Sequence, residues 1–195
     1  MSKTLPLRRA RFFAALAVSI LTATTMLPAK QIEGVEVPAS KTVEGKNLKL
    51  NGAGVRVVKL MIIPIKAYVA AFYAPAPVKS LADASTQRPL EFNFTFLHGV
   101  GQGDVTKAWN AQFDASVSES YAGLAKDQAA FVKMFGPLQS GGVETVVLTG
   151  KETKVYDDGA LKGSVPGADF QKAFLSMWFG TKPVMPSLKS ELLGQ

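Results

Sequence analysis

Residues Leu90 to Leu97 read Leu-Glu-Phe-Asn-Phe-Thr-Phe-Leu, and this alternation limits what the chain can fold into. Leu90, Phe92, Phe94 and Phe96 fall on one face and Glu91, Asn93 and Thr95 on the other, the period of a strand with one buried side. Three phenylalanines on one face need a thick apolar layer above them, which helices can supply. The rest of the chain offers the parts. Leu48–Leu60 and Ile65–Tyr73 are rich in β-branched and aromatic residues and predict two strands. Pro75 and Pro77 stop the second, since each removes a ladder donor. Ahead of them, Ile32–Pro38 reads as a short extended stretch and Val43–Lys46 as a turn. Val78–Ser85 suits a short helix.

Two longer helices follow the Phe-rich strand. Asp104 offers an N-cap, with Val105, Trp109, Gln112 and Ser116 along one stripe and Ala108 and Phe113 beside it. Helical spacing explains Trp109 and Phe113 as core residues. Tyr121–Phe135 predicts the second helix, with Tyr121, Leu124, Phe131 and Phe135 on one face and Gly136-Pro137 as its stop. Strand character returns at Val143–Thr149, Thr153–Tyr156 and Ala160–Val165, the last two joined at Asp157-Asp158-Gly159 by a hairpin turn. Asp169–Trp178 closes as a helix, and a short one follows Pro186. Strands, helices, strands, helices predict an α+β domain: one largely antiparallel sheet covered on one face by helices.

Residues 1–29 have the form of a secretory signal, leaving 30–195 as a single domain. Lys3, Arg8, Arg9 and Arg11 form a basic start, Phe12–Met26 an apolar middle, and Leu27-Pro28-Ala29 a cleavage site. The apolar part is short of the roughly 20 residues of a spanning helix, although an uncleaved anchor is the alternative. No later run is long enough to cross a bilayer without Pro, Gly or charge. The whole chain carries a net charge of +7, but the leader holds four basic groups and no acid. The remainder has 18 basic against 15 acidic groups, a net of +3, so no nucleic-acid footprint is indicated. The chain is expected to be periplasmic.

Cysteine is absent, which excludes disulfides, thiol nucleophiles and zinc thiolate sites. His98 is the sole histidine, and no Gly-x-Ser-x-Gly elbow accompanies it. A surface histidine at a strand end accounts for it. Gly99-Val-Gly-Gln-Gly103 lacks the spacing of a dinucleotide loop and reads as a lead into a helix. No metal or cofactor is indicated. Arg56 stands apart: it is a permanent cation in an apolar run, Leu48–Tyr73, that contains no Asp or Glu. Either its stem packs and its head reaches water, or an anion from elsewhere in the chain or from a ligand meets it. If 48–60 and 65–73 form a hairpin whose paired positions sum to 124, Arg56 lies opposite Tyr68 on one face, close enough to grip one anion. A slip of one residue would send Tyr68 to the other face.

Leu50-Asn-Gly-Ala-Gly-Val-Arg56, Ile65-Lys-Ala-Tyr-Val-Ala-Ala-Phe-Tyr73 and Phe174-Leu-Ser-Met-Trp-Phe-Gly-Thr-Lys-Pro183 resemble the bacterial chalcone isomerase-like family. The resemblance spans nearly all of residues 30–195 and implies an open-faced β-sandwich with a ligand cleft between its large antiparallel sheet and its helices. Plant chalcone isomerases of this family place an arginine at the position of Arg56 and a threonine at that of Tyr68. Their catalytic tyrosine and asparagine fall near Val105 and Gln112, and a last Ser/Thr at Met177. Four of those five positions differ here, which points away from cyclisation. The fatty-acid-binding branch holds a carboxylate with an arginine and a tyrosine on neighbouring strands, and Arg56 and Tyr68 fit that pattern. The expectation is therefore an exported protein that binds a small amphipathic acid, such as a fatty acid, at Arg56 and Tyr68 without catalysis. The alternatives are an isomerase of the intramolecular-lyase type acting on an enone, with Arg56 stabilising the oxyanion, and a structural or partner-binding role in which Arg56 pairs with an internal acid.

Overall fold

The computed structural model describes residues 29–117 and 123–195. Apart from Ala29, the expected signal segment lies outside these residues, as does Tyr121, where the second long helix was expected to start. Nine strands and five helices are assigned among them. A small hairpin, β1 (Lys30–Ile32) and β2 (Val35–Val37), precedes the main sheet. The sheet has seven strands in the order of the chain: β3 (Ser40–Val43), β4 (Lys46–Leu60), β5 (Ile63–Ala74), β6 (Leu90–Phe96), β7 (Val143–Leu148), β8 (Glu152–Asp157) and β9 (Ala160–Pro166). Every neighbouring pair is antiparallel. Between β5 and β6 lies α1 (Leu81–Thr86); between β6 and β7 lie α2 (Gln102–Ser116) and α3 (Ala125–Val132); α4 (Ala168–Phe179) and α5 (Pro186–Leu192) end the chain. None of the described helices is long and apolar enough to cross a membrane.

The period-two pattern of β6 decides the layering. Phe92 is paired with Phe72 on β5 and Val146 on β7, and all three are fully buried. Phe174, Trp178 and Phe179 of α4 pack onto Phe92 at ring-centroid distances of 5.3, 5.4 and 5.7 Å. Trp109 of α2 joins Phe131 and Phe135 at 5.0 and 4.9 Å, extending one aromatic layer between helices and sheet. Each buried ring contributes about 1.5–3 kcal/mol through area alone.

The other sheet face is covered in part as well, among the described residues by a hairpin rather than by helices. Val37, Val43, Leu48, Val69, Ala71, Tyr73 and Val147 form a second cluster there, with Ile32 and Val35 of the β1–β2 hairpin packed on it. Lys41 crosses this face to pair with Glu91 at 2.7 Å, which satisfies an acid only 5% exposed.

The turns follow their residues. Asp158 (φ 44°) and Gly159 (φ 81°) take the paired positive angles of a two-residue hairpin turn. Gly52 and Gly54 have a different purpose. A Cβ on Gly52 would collide with the Glu191 and Leu192 carbonyls, and one on Gly54 with the Glu191 side chain. The Gly-Ala-Gly stretch is thus the seat of α5. Asn51 fastens it, donating to the carbonyls of Val78 (2.9 Å) and Leu192 (2.8 Å) and accepting from the Val78 N–H (2.7 Å).

Several helix boundaries differ from expectation. α1 is capped by Ser80 and begins at Leu81, not Val78. Gly101, not Asp104, is the N-cap of α2, so Asp104 sits inside the first turn, where its charge still favours the helix dipole. α3 ends at Val132, and Phe135 is buried just beyond the turn that follows it.

Candidate functional site

The β4–β5 hairpin brings Arg56 and Tyr68 together through an irregularity. Its turn is two residues long, with Leu60 paired to Ile63, so the strands leave it with positions summing to 123. That register would set Arg56 opposite Ala67 and turn Tyr68 to the other face. Between Val57 and Arg56 the register shifts: Val57 pairs with Lys66, Arg56 pairs with Tyr68, and Ala67 is the extra residue of a β-bulge. The bulge is what puts the guanidinium and the phenol on one face.

That face borders a cavity of about 280 Å³ between the sheet and α2 and α4. Its wall is mostly apolar, with Phe94, Phe96, Trp109, Phe135, Leu138 and Trp178 among its members. Arg56 is half-buried in this wall, and its Nη1 donates to the Val184 carbonyl at 2.7 Å, which fixes the head group. Among the described residues no carboxylate lies within ion-pairing distance of it. A guanidinium carries five N–H donors, so most remain for another acceptor. Tyr68 is wedged between Phe94 and Phe96, at 5.4 and 5.3 Å. Burial pushes its pKa up to about 12, with the charge of Arg56 partly opposing the rise. The phenol therefore holds its proton at neutral pH and can donate to an anion.

Other polar groups complete the wall. Asp104 is exposed, 3.8 Å from Lys107. Gln112, half-buried, donates to Ser116, which in turn donates to the Lys182 carbonyl at 2.6 Å. Glu144 is the unexpected member. It stands on β7 opposite Phe94 and is 1% exposed, and neither of its carboxyl oxygens has a hydrogen-bond partner among the described residues. Burial raises its pKa to about 8; Asp157 and Asp158 add to the rise and Lys162 opposes it. At neutral pH this carboxyl is mostly protonated. Trp178, also in the wall, has an indole N–H that is likewise buried and unpartnered.

Arg56 and Tyr68 are thus brought together at one cavity. Of the positions where plant isomerases carry catalytic groups, Val105 and Gln112 line the same cavity, while Met177 is buried and is not part of the wall. His98 is exposed at the end of β6, away from the cavity lining. No three His, Cys, Asp or Glu side chains gather as a metal-holding group among the described residues. Sequence reasoning missed Glu144, although its alternation with Val146 and Leu148 placed an acid on an apolar face.

Comparison with known proteins bears on the fold and the family. No curated protein sequence matches the chain. Among solved structures, that of an Arabidopsis thaliana fatty-acid binding protein matches with a TM-score of 0.63 at 14% identity, covering 85% of this chain and 95% of that one. At that identity the likeness establishes a shared fold: the curled antiparallel sheet with its helices. A profile described as chalcone isomerase-like matches residues 29–194. The chain belongs to the chalcone isomerase-like family.

Proposed function

We propose that this protein is an exported, non-catalytic carrier of a small amphipathic carboxylate such as a fatty acid. The acid's head lies at Arg56 and Tyr68 and its tail lies along the aromatic wall. One observation carries the reading: a half-buried arginine, with no acid partner among the described residues, bordering an apolar cavity. A planar guanidinium fork and a protonated phenol suit a carboxylate, and charge-assisted contacts of this kind are about twice as strong as neutral ones. The fold shared with a protein described as fatty-acid binding supports the same reading.

The size of the cavity narrows the ligand. Its 280 Å³ is near the lower end of the roughly 300–1,000 Å³ usual for ligand pockets. At roughly 30 Å³ per small-molecule heavy atom, the volume share of a water in the liquid, it holds on the order of ten atoms. A medium-chain acid fits this space better than a long-chain one.

An isomerase needs a proton-handling group beside the bound oxyanion. The buried acid of the cavity, Glu144, is on β7, three strands from Arg56 on β4, with the backbones about 14 Å apart along the sheet at the usual spacing of about 4.8 Å per strand. An enone oxygen held at Arg56 would leave it out of reach, so the binding reading is preferred. Mass spectrometry of small molecules released from the denatured, natively purified protein tests the proposal. A stoichiometric medium-chain carboxylic acid is expected; a stoichiometric neutral or cationic ligand would overturn it.

A further inference from the structure

The acid-binding reading leaves two buried polar groups of the cavity without a task. Glu144 and Trp178 are 1% and 2% exposed, and among the described residues neither the carboxyl oxygens nor the indole N–H has a partner. Buried polar groups without partners are rare in native proteins, because each has given up its hydrogen bonds to water without replacing them. Two at one cavity point to a missing partner. Both also adjoin Phe94. Glu144 is the direct cross-strand partner of Phe94, and the Trp178 ring stacks on Phe94 at 5.1 Å with 25° between planes. Phe94 is thus flanked by a hydrogen-bond donor and by a carboxyl able to accept.

We propose that Glu144 and Trp178 form a second polar subsite, which takes a hydroxyl group carried on the chain of the bound acid. The hydroxyl oxygen accepts from Trp178 Nε1, and the hydroxyl proton is donated to the carbonyl oxygen of the neutral Glu144 carboxyl, so one group gives each residue a partner. The ligand class becomes a medium-chain hydroxy acid, bound through its carboxylate at Arg56 and through its hydroxyl deeper in the wall. This rests on the acid-binding reading and adds a second point of recognition to it. The neutral state of Glu144 favours a hydroxyl here over an amine, which would need an ionised partner.

Titration of the protein with octanoate and with its 5-, 6-, 7- and 8-hydroxy derivatives tests the assignment. Both tryptophans of the chain, Trp109 and Trp178, border the cavity, so their fluorescence reports binding, and calorimetry provides the affinities. At least one hydroxy isomer should bind roughly five- to tenfold more tightly than octanoate, the scale of one well-made hydrogen bond. Glu144→Leu should abolish that preference, so that the hydroxy isomers bind no more tightly than octanoate. Glu144→Gln, which keeps an acceptor and the side chain's shape, should retain part of it; Trp178→Phe should weaken it. Equal binding of octanoate and all four isomers by the wild type would overturn the subsite and leave the acid-binding reading standing. So would a preference that survives intact in Glu144→Leu, or in Glu144→Gln together with Trp178→Phe should the leucine variant not fold. Failure of every acid, octanoate included, to bind would overturn both.

Discussion

Replacing Glu144 with glutamine should change how the stability of the ligand-free protein depends on pH. In the folded protein the carboxyl pKa is raised from 4.5 to about 8, chiefly by burial, with Asp157 and Asp158 adding to it and Lys162 opposing. In the unfolded chain the group returns to its ordinary value. Between those two values the folded state binds one more proton than the unfolded state, so stability falls as pH rises. The slope is about 1.4 kcal/mol per pH unit for one group. The full stabilising contribution is therefore present below pH 4.5 and lost by pH 8, a change of ~3–5 kcal/mol. That is a large part of the roughly 5–15 kcal/mol that holds an ordinary domain together. Urea unfolding at pH 5, 7 and 9, followed by tryptophan fluorescence, measures it. Wild type and Glu144→Gln should have similar midpoints at pH 5, with the variant clearly more stable at pH 9. Parallel curves for the two proteins from pH 5 to 9 would show that Glu144 is solvated or paired, and the reasoning from its burial would be refuted.

Three other perturbations follow from the same geometry. Tyr68→Phe keeps the ring contacts with Phe94 and Phe96 but removes the hydroxyl, so it should weaken octanoate binding by about 0.5–3 kcal/mol, by calorimetry, with little change in unfolding midpoint. Gly52→Ala drives a methyl group into the backbone of α5 and should cost about 1–3 kcal/mol, with faster hydrogen exchange confined first to residues 186–195. If the leader is cleaved as its sequence suggests, the intact mass of periplasmic protein should correspond to a chain starting near Lys30. A full-length mass would favour an anchored form.

How much of this could be read from the residues depended on whether a local pattern matched a local cause. The alternation in β6 translates directly into a half-buried strand, because a one-residue slip would expose every phenylalanine. Asp158-Gly159 names its own turn for the same kind of reason. The pairing of Arg56 with Tyr68 was legible only as one register among others. It rests on a bulge at Ala67, and no residue type there announces one. The short β1–β2 hairpin shows in the sequence only as an extended stretch, since three-residue strands are too brief to show a period. Glu144 is the instructive miss. A cation on an apolar run drew attention to Arg56, whereas an acid sharing a face with Val146 and Leu148 passed as part of an ordinary strand. The unpartnered N–H of Trp178 had no sequence signal at all, because it depends on how α4 crosses the sheet.

The central claim is that Arg56 holds an acid. Calorimetric titration of octanoate into wild type, Arg56→Ala and Arg56→Lys, each shown to be folded by circular dichroism, tests it most directly. Loss of the donor to the Val184 carbonyl should cost the alanine variant only about 1 kcal/mol of stability, so it should remain folded. Binding should weaken by about 2–5 kcal/mol in Arg56→Ala, the scale for removing one partner of a desolvated charge pair. Arg56→Lys should recover only part of this, because an ammonium cannot offer the two-pronged planar contact. Undiminished octanoate binding by a folded Arg56→Ala variant would contradict the account, as would an Arg56→Ala variant that unfolds while Tyr68→Phe binds normally.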